Sequence, residues 1–123
     1  MIATSIERAR KLLKLGLDSK TADMVWTISN SDLPMLLAYP IEDCNSWEDK
    51  IPAWSLSALL EVIPKECEPD IQKSPINGVY FAHWFAGGKP YITDYYGNAV
   101  TAAYEMVCWL LENNFIKKGD DNE

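Results

Sequence analysis

Ile6, Ala9 and Leu13, supported by Leu12, recur on one side of the stretch Ser5–Leu15, with charged residues between them. That spacing predicts a helix whose apolar stripe meets a core. Thr4 and Glu7 stand at capping-box separation at its start, and Gly16 is placed for the left-handed residue that ends it. Asp18 caps a short turn through Lys20–Ala22. Met24–Ser29 alternates large and small side chains, as a strand does. Asn30-Ser31-Asp32 turns the chain into a return strand, Met35–Tyr39, with Leu33-Pro34 at a sheet edge. Pro40–Lys50 has little periodicity and reads as an exposed loop.

The second half repeats the plan. Leu56, Leu59, Leu60 and Ile63 fall at i, i+3, i+4 and i+7, predicting a helix over Ser55–Ile63 that begins after Ile51-Pro52-Ala53-Trp54 and stops at Pro64. Lys65–Pro75 reads as a surface connection. Val79–Phe85 and Tyr91–Tyr95 are strands joined through Gly87-Gly88, whose freedom at positive φ suits a tight hairpin turn. Asn98 or Thr101 caps a last helix reaching Asn113, with Val100, Ala103, Tyr104, Val107 and Leu111 on its core face. The expectation is one α+β domain over residues 1–116 with a frayed acidic tail, 117–123. Its order is α-ββ-α-ββ-α: three helices packed on an antiparallel sheet of about four strands.

Composition narrows function by exclusion. The 123 residues carry 18 acidic and 11 basic side chains, a net charge of −7. Nucleic-acid phosphates demand clustered Lys and Arg. Here Arg8, Arg10, Lys11 and Lys14 form one basic helix on an acidic body, so nucleic-acid binding is not expected. Cys44, Cys67 and Cys108 are odd in number and lack Cys-x-x-Cys spacing, predicting three free thiols and neither a disulfide framework nor a zinc site. Met1-Ile2-Ala3-Thr4 runs directly into a charged helix without an apolar leader, and the apolar stretch Met106–Leu111 is far short of the ~20 residues of a membrane span. A cytoplasmic protein without membrane contact is expected. The acidic clusters lack calcium-loop spacing and Gly87-Gly88-Lys89 lacks the remainder of a phosphate loop, so no metal or cofactor is expected.

Three segments resemble a known group: Leu15–Met24, Ile51–Pro64 and Ala102–Ile116 are similar to short uncharacterised proteins carried by prophages and other mobile elements of gut anaerobes. The likeness covers both ends and the middle helix, and leaves out Pro40–Lys50 and Lys65–Tyr96. These are packing motifs, so the resemblance implies a mobile-element origin and no catalytic residue.

Candidate chemistry concentrates in the second hairpin. A two-residue turn at Gly87-Gly88 pairs Ala86 with Lys89, Trp84 with Tyr91 and His83 with Ile92. Asp94 then lies diagonal to His83, the only histidine, and a His–Asp pair is the orienting half of a catalytic triad. No nucleophile signature accompanies it. The same register places Tyr80, Ala82, Trp84, Tyr91, Thr93 and Tyr95 on one sheet face, and Val79, Phe81, His83, Phe85 and Ile92 on the other. The ring-rich face reads either as core or as a recognition surface, since Tyr and Trp are enriched at interface hot spots. The leading reading is a non-enzymatic binding or accessory protein of a mobile element, docking a host or self protein through Tyr80, Trp84, Tyr91 and Tyr95. The alternatives are a small hydrolase or transferase using His83 and Asp94, and an acidic decoy for a nucleic-acid-binding host protein.

Overall fold

A computed structural model describes residues 2–28, 34–38 and 50–119. The first helix, α1 (Ile6–Leu15), starts at Ser5, whose hydroxyl accepts the Arg8 N–H at 3.3 Å. Thr4, expected as the cap, is instead buried as a tie. Its N–H donates to the Trp54 carbonyl at 2.9 Å, its hydroxyl accepts the Trp54 N–H at 3.2 Å, and its carbonyl accepts the Trp26 indole N–H at 2.8 Å. The helix ends at Gly16 with φ 105°, where the Gly16 and Leu17 N–H groups bond back to Leu13 and Leu12. This pair of bonds is a Schellman turn, and its apolar clasp, Leu17 with Leu12, lies in the core. Asp18 caps the single 3-10 turn Ser19–Thr21 through Lys20 N–H, as expected.

Strands β1 (Met24–Ile28), β2 (Pro34–Leu37) and β3 (Lys50–Ala53) form an antiparallel sheet in the order β2-β1-β3. Helix α2 (Leu56–Glu61) follows, capped by Ser55. The Asp23 carboxylate accepts both the N–H (2.9 Å) and the hydroxyl of Ser55, fixing the start of α2 beside β1. Strands β4 (Asp70–Lys73), β5 (Tyr80–Ala86) and β6 (Lys89–Ile92) form a second antiparallel sheet in the order β4-β5-β6. The last helix, α3 (Ala99–Glu112), is capped by Asn98, which accepts the Thr101 N–H at 2.8 Å.

The α+β class and the three helices agree with the expectation, but the single four-stranded sheet does not. The described residues hold two three-stranded sheets in the order α-βββ-α-βββ-α. The additional strands are β3, expected as the run-up to α2, and β4, expected as a connection. Both are edge strands, and β3 carries Pro52 where a missing N–H deprives no second neighbour. The loop expected over Pro40–Lys50, apart from Lys50 in β3, lies outside the described residues, as does Cys44.

Helix α3 is the centre of the molecule. Ten of its fourteen residues are buried. It packs on the β4-β5-β6 sheet and contacts α1 and α2, while α1 also leans on β3. Arg8 of the basic helix is drawn into this packing: its guanidinium donates to the Thr101 hydroxyl at 2.8 Å and stands 5.4 Å from the centre of the Tyr104 ring.

Cys67 and Cys108 are buried free thiols. Burial is the main cause that pushes the Cys108 thiol from its ordinary 9.0 up to about 11, against lesser contributions from Tyr104 and Lys11 that lower it. A thiol reagent at pH 7.5 should therefore leave Cys67 and Cys108 unmodified in the folded protein and label both in denaturant. Because the folded value is raised, the stabilisation linked to Cys108 is complete below pH about 9 and is lost as pH rises through about 11. Rapid native-state labelling of Cys108 would contradict its place in the core.

Candidate functional site

The hairpin turn forms as its glycines require, with φ 58° at Gly87 and 78° at Gly88. It sets the expected register: Ala86 opposite Lys89, Trp84 opposite Tyr91, and His83 opposite Ile92. Alternation along β5 then separates two faces. Ala82, Trp84 and Ala86 are buried against α3, whereas Phe81, His83 and Phe85 point the other way.

The ring-rich face is core. Trp84 is only 3% exposed. It stacks on Tyr91 with ring centres 5.9 Å apart and meets Trp109 of α3 at 5.5 Å. Tyr91 contacts Trp109 at 4.3 Å, and Tyr80 is half-buried against the same cluster. Trp84 is therefore under α3 and not on an open recognition surface, while Tyr80 and Tyr91 stay half-buried at its edge.

Tyr95 leaves this group through a bulge. Thr93 pairs with Ala82, but its hydroxyl, rather than its carbonyl, accepts the Ala82 N–H at 2.9 Å. The next rung joins Tyr80 to Tyr96 by two bonds of 2.7 Å. Two residues, Asp94 and Tyr95, thus oppose the single Phe81, and the alternation shifts by one. Tyr96 inherits the inward position. Tyr95 lies 62% exposed, its ring edge-on to Phe81 at 5.5 Å.

The outward face carries the open apolar surface. Phe85 is 39% exposed and Ile92 60%, and Phe81 and Tyr95 extend the patch toward the bulge. Its neighbour strand β4 contributes Asp70 opposite His83 and Gln72 opposite Phe81. His83 Nε2 lies 3.1 Å from Asp70 Oδ2, and Gln72 Nε2 lies 3.0 Å from the same oxygen. Gln72 Nε2 also lies 3.1 Å from His83 Nε2, so the tautomer of His83 decides whether its Nε2 donates to Asp70 or accepts from Gln72.

The expected partner of His83, Asp94, is replaced by Asp70. The hairpin alone suggested Asp94; the unforeseen strand β4 supplies a carboxylate directly across from the ring. This pair is solvent-exposed, with side chains 34% and 52% accessible, so it contributes about 0–1 kcal/mol to folding. Among the described residues no hydroxyl or thiol is hydrogen-bonded to His83, so the pair has no nucleophile to orient. The same residues gather no group of three His, Cys, Asp or Glu side chains able to hold a metal, and contain no helix long and apolar enough to cross a membrane.

Comparisons of the chain with protein-family models, with curated proteins and with solved structures find no match.

Proposed function

We infer that the chain is a non-enzymatic binding or accessory protein that docks another protein through the outward face of the β4-β5-β6 sheet. The observation that carries this reading is the patch formed by Phe81, Phe85, Ile92 and Tyr95, which leaves large apolar side chains in water on a sheet whose other face packs against α3. An antiparallel sheet ordinarily presents polar side chains on its solvated face. A contiguous apolar departure from that rule is the mark of an interaction surface.

Charge describes the partner. With a net charge of −7 and Asp70 and Asp94 beside the patch, the chain complements a protein surface with an apolar centre and a basic rim. The acidic-decoy reading shares that charge argument and narrows the partner to a nucleic-acid-binding host protein. A mobile-element origin is supported by the three resembling segments, and action in the cytoplasm by the free-thiol chemistry of the buried cysteines.

A photo-crosslinking side chain placed at Ile92 tests the surface in cells that contain the natural partner. It should yield one discrete protein adduct, and the same group at Glu61, an exposed site on α2, should yield none. Adducts absent at Ile92, or equally abundant at both positions, would remove the assignment.

A further inference from the structure

The connection between β4 and β5 carries the chain's single Asn-Gly step, Asn77-Gly78. Two backbone bonds close this loop: Ser74 N–H donates to Val79 O at 2.7 Å, and Gly78 N–H to Ser74 O at 3.1 Å. The Ser74 hydroxyl accepts the Ile76 N–H at 3.4 Å, and the Asn77 side-chain carbonyl accepts the Val79 N–H at 3.5 Å. That last bond reaches two residues forward, the form of an Asx turn, and turns the Asn77 amide toward the peptide that joins it to Gly78. Both residues are exposed. Gly78 takes φ 69°, and among the described residues a Cβ there would meet nothing nearer than Lys73 Cε at 3.7 Å.

We propose that Asn77-Gly78 is a site of spontaneous covalent modification, where the folded chain deamidates through a cyclic imide and thereby releases the β4–β5 turn. Hydroxide takes the Gly78 amide proton, and the nitrogen attacks Asn77 Cγ. The N–Cγ bond forms, the Cγ–Nδ2 bond breaks, and the side-chain nitrogen leaves as ammonia with a proton from water. Water then opens the imide. Addition at Cγ breaks the new bond and yields aspartate. Addition at the Asn77 backbone carbonyl breaks the original peptide bond and yields isoaspartate, with the main chain rerouted through Cβ and Cγ. The sum is water consumed and ammonia released, and the charge of a chain already at −7 becomes more negative.

The geometry favours this course. The attacking residue has no side chain to obstruct ring closure. The Val79 N–H is placed on Oδ1, the atom that gains negative charge as the N–Cγ bond forms, and a donor there favours the charged stage. Against it stands the Gly78–Ser74 bond, which attack must break, and such a bond in an exposed loop opens locally at small cost. The other described asparagines lack the combination. Asn98 has its carbonyl engaged by the N–H and hydroxyl of Thr101 and is followed by Ala99 in α3. Asn113 and Asn114 precede residues whose side chains crowd the attacking nitrogen. Isoaspartate lengthens the main chain between residues 77 and 78 and displaces Gly78 from Ser74. Strand β4 depends on that turn, because three of its four residues are exposed and its ladder to β5 holds it.

Incubation of the full chain at pH 8, followed by mass spectrometry of proteolytic fragments, tests the site. Residue 77 should convert over weeks to aspartate and isoaspartate, ahead of Asn98, Asn113 and Asn114. Its rate should lie within about 10-fold of that in guanidinium chloride, as for a loop that opens locally. The rate should rise with pH, since Gly78 must lose its proton, and Asn77→Gln should stop conversion at this position. Retention of the amide in the folded chain while the denatured chain converts would overturn the proposal. So would a product without isoaspartate, which would mean direct hydrolysis. In the separated isoaspartate form, the Ser74 amide should exchange with deuterium at least about 10-fold faster than in the unaltered protein. Unchanged protection at Ser74 would refute release of the turn.

Discussion

Trp84→Ala should lower the free energy of unfolding by about 3–5 kcal/mol, the range for emptying a large aromatic site in a packed core. The indole fills the space between β5 and α3, touching both Tyr91 and Trp109. Truncation removes its buried area and leaves a cavity walled by two rings that are themselves anchored in β6 and α3. A conservative replacement separates packing from polarity. Trp84 Nε1 is buried with no hydrogen-bond partner among the described residues, and an unmet buried donor costs about 1–3 kcal/mol. Trp84→Phe gives up part of the ring volume but also removes that donor, so its net cost should fall well below that of alanine, at about 1 kcal/mol. Chemical denaturation measures both. A midpoint for Trp84→Ala close to that of the unaltered chain would mean that α3 does not cover this face.

How far such features are legible in the sequence depends on the range of the interactions that create them. Helices α1 and α3 carry their own periodicity and end signals, and the register of β5 with β6 is set by Gly87-Gly88 a few residues away. Strand β4 has no such local signal. Asp70-Ile71-Gln72-Lys73 holds one apolar residue in four, and becomes a strand because β5 offers a ladder to its backbone. Polar side chains then suit an edge position. The partner of His83 was hidden for the same reason: Asp70 reaches it only through that pairing. Pro52 masked β3, since proline points to a break until the strand is known to lie at an edge. The outward turn of Tyr95 depends on the Thr93 hydroxyl replacing a carbonyl in the ladder, a detail that alternation counted along the sequence passes over. Of the four aromatic residues expected to bind, Tyr95 alone stays exposed, and it joins Phe81 on the opposite face.

Tyr95 therefore carries the second large expected effect. Its ring is mostly solvated in the free protein, and its contact with Phe81 is worth about 0.5–1.5 kcal/mol. Tyr95→Ala should accordingly change folding stability by about 1 kcal/mol or less. In the docked state proposed above the same ring would be a buried aromatic anchor of the apolar patch, and truncating such anchors typically costs 2 kcal/mol or more. Stability and association should thus respond oppositely to Trp84→Ala and Tyr95→Ala: the first damages the fold, the second the interface.

The most direct measurement is the affinity of Tyr95→Ala for the protein captured at Ile92, taken together with its denaturation midpoint. An affinity reduced about 30-fold or more, the equivalent of 2 kcal/mol, with a nearly unchanged midpoint is the predicted result. Unaltered affinity in a folded Tyr95→Ala protein would contradict the outward face of β4-β5-β6 as the docking surface.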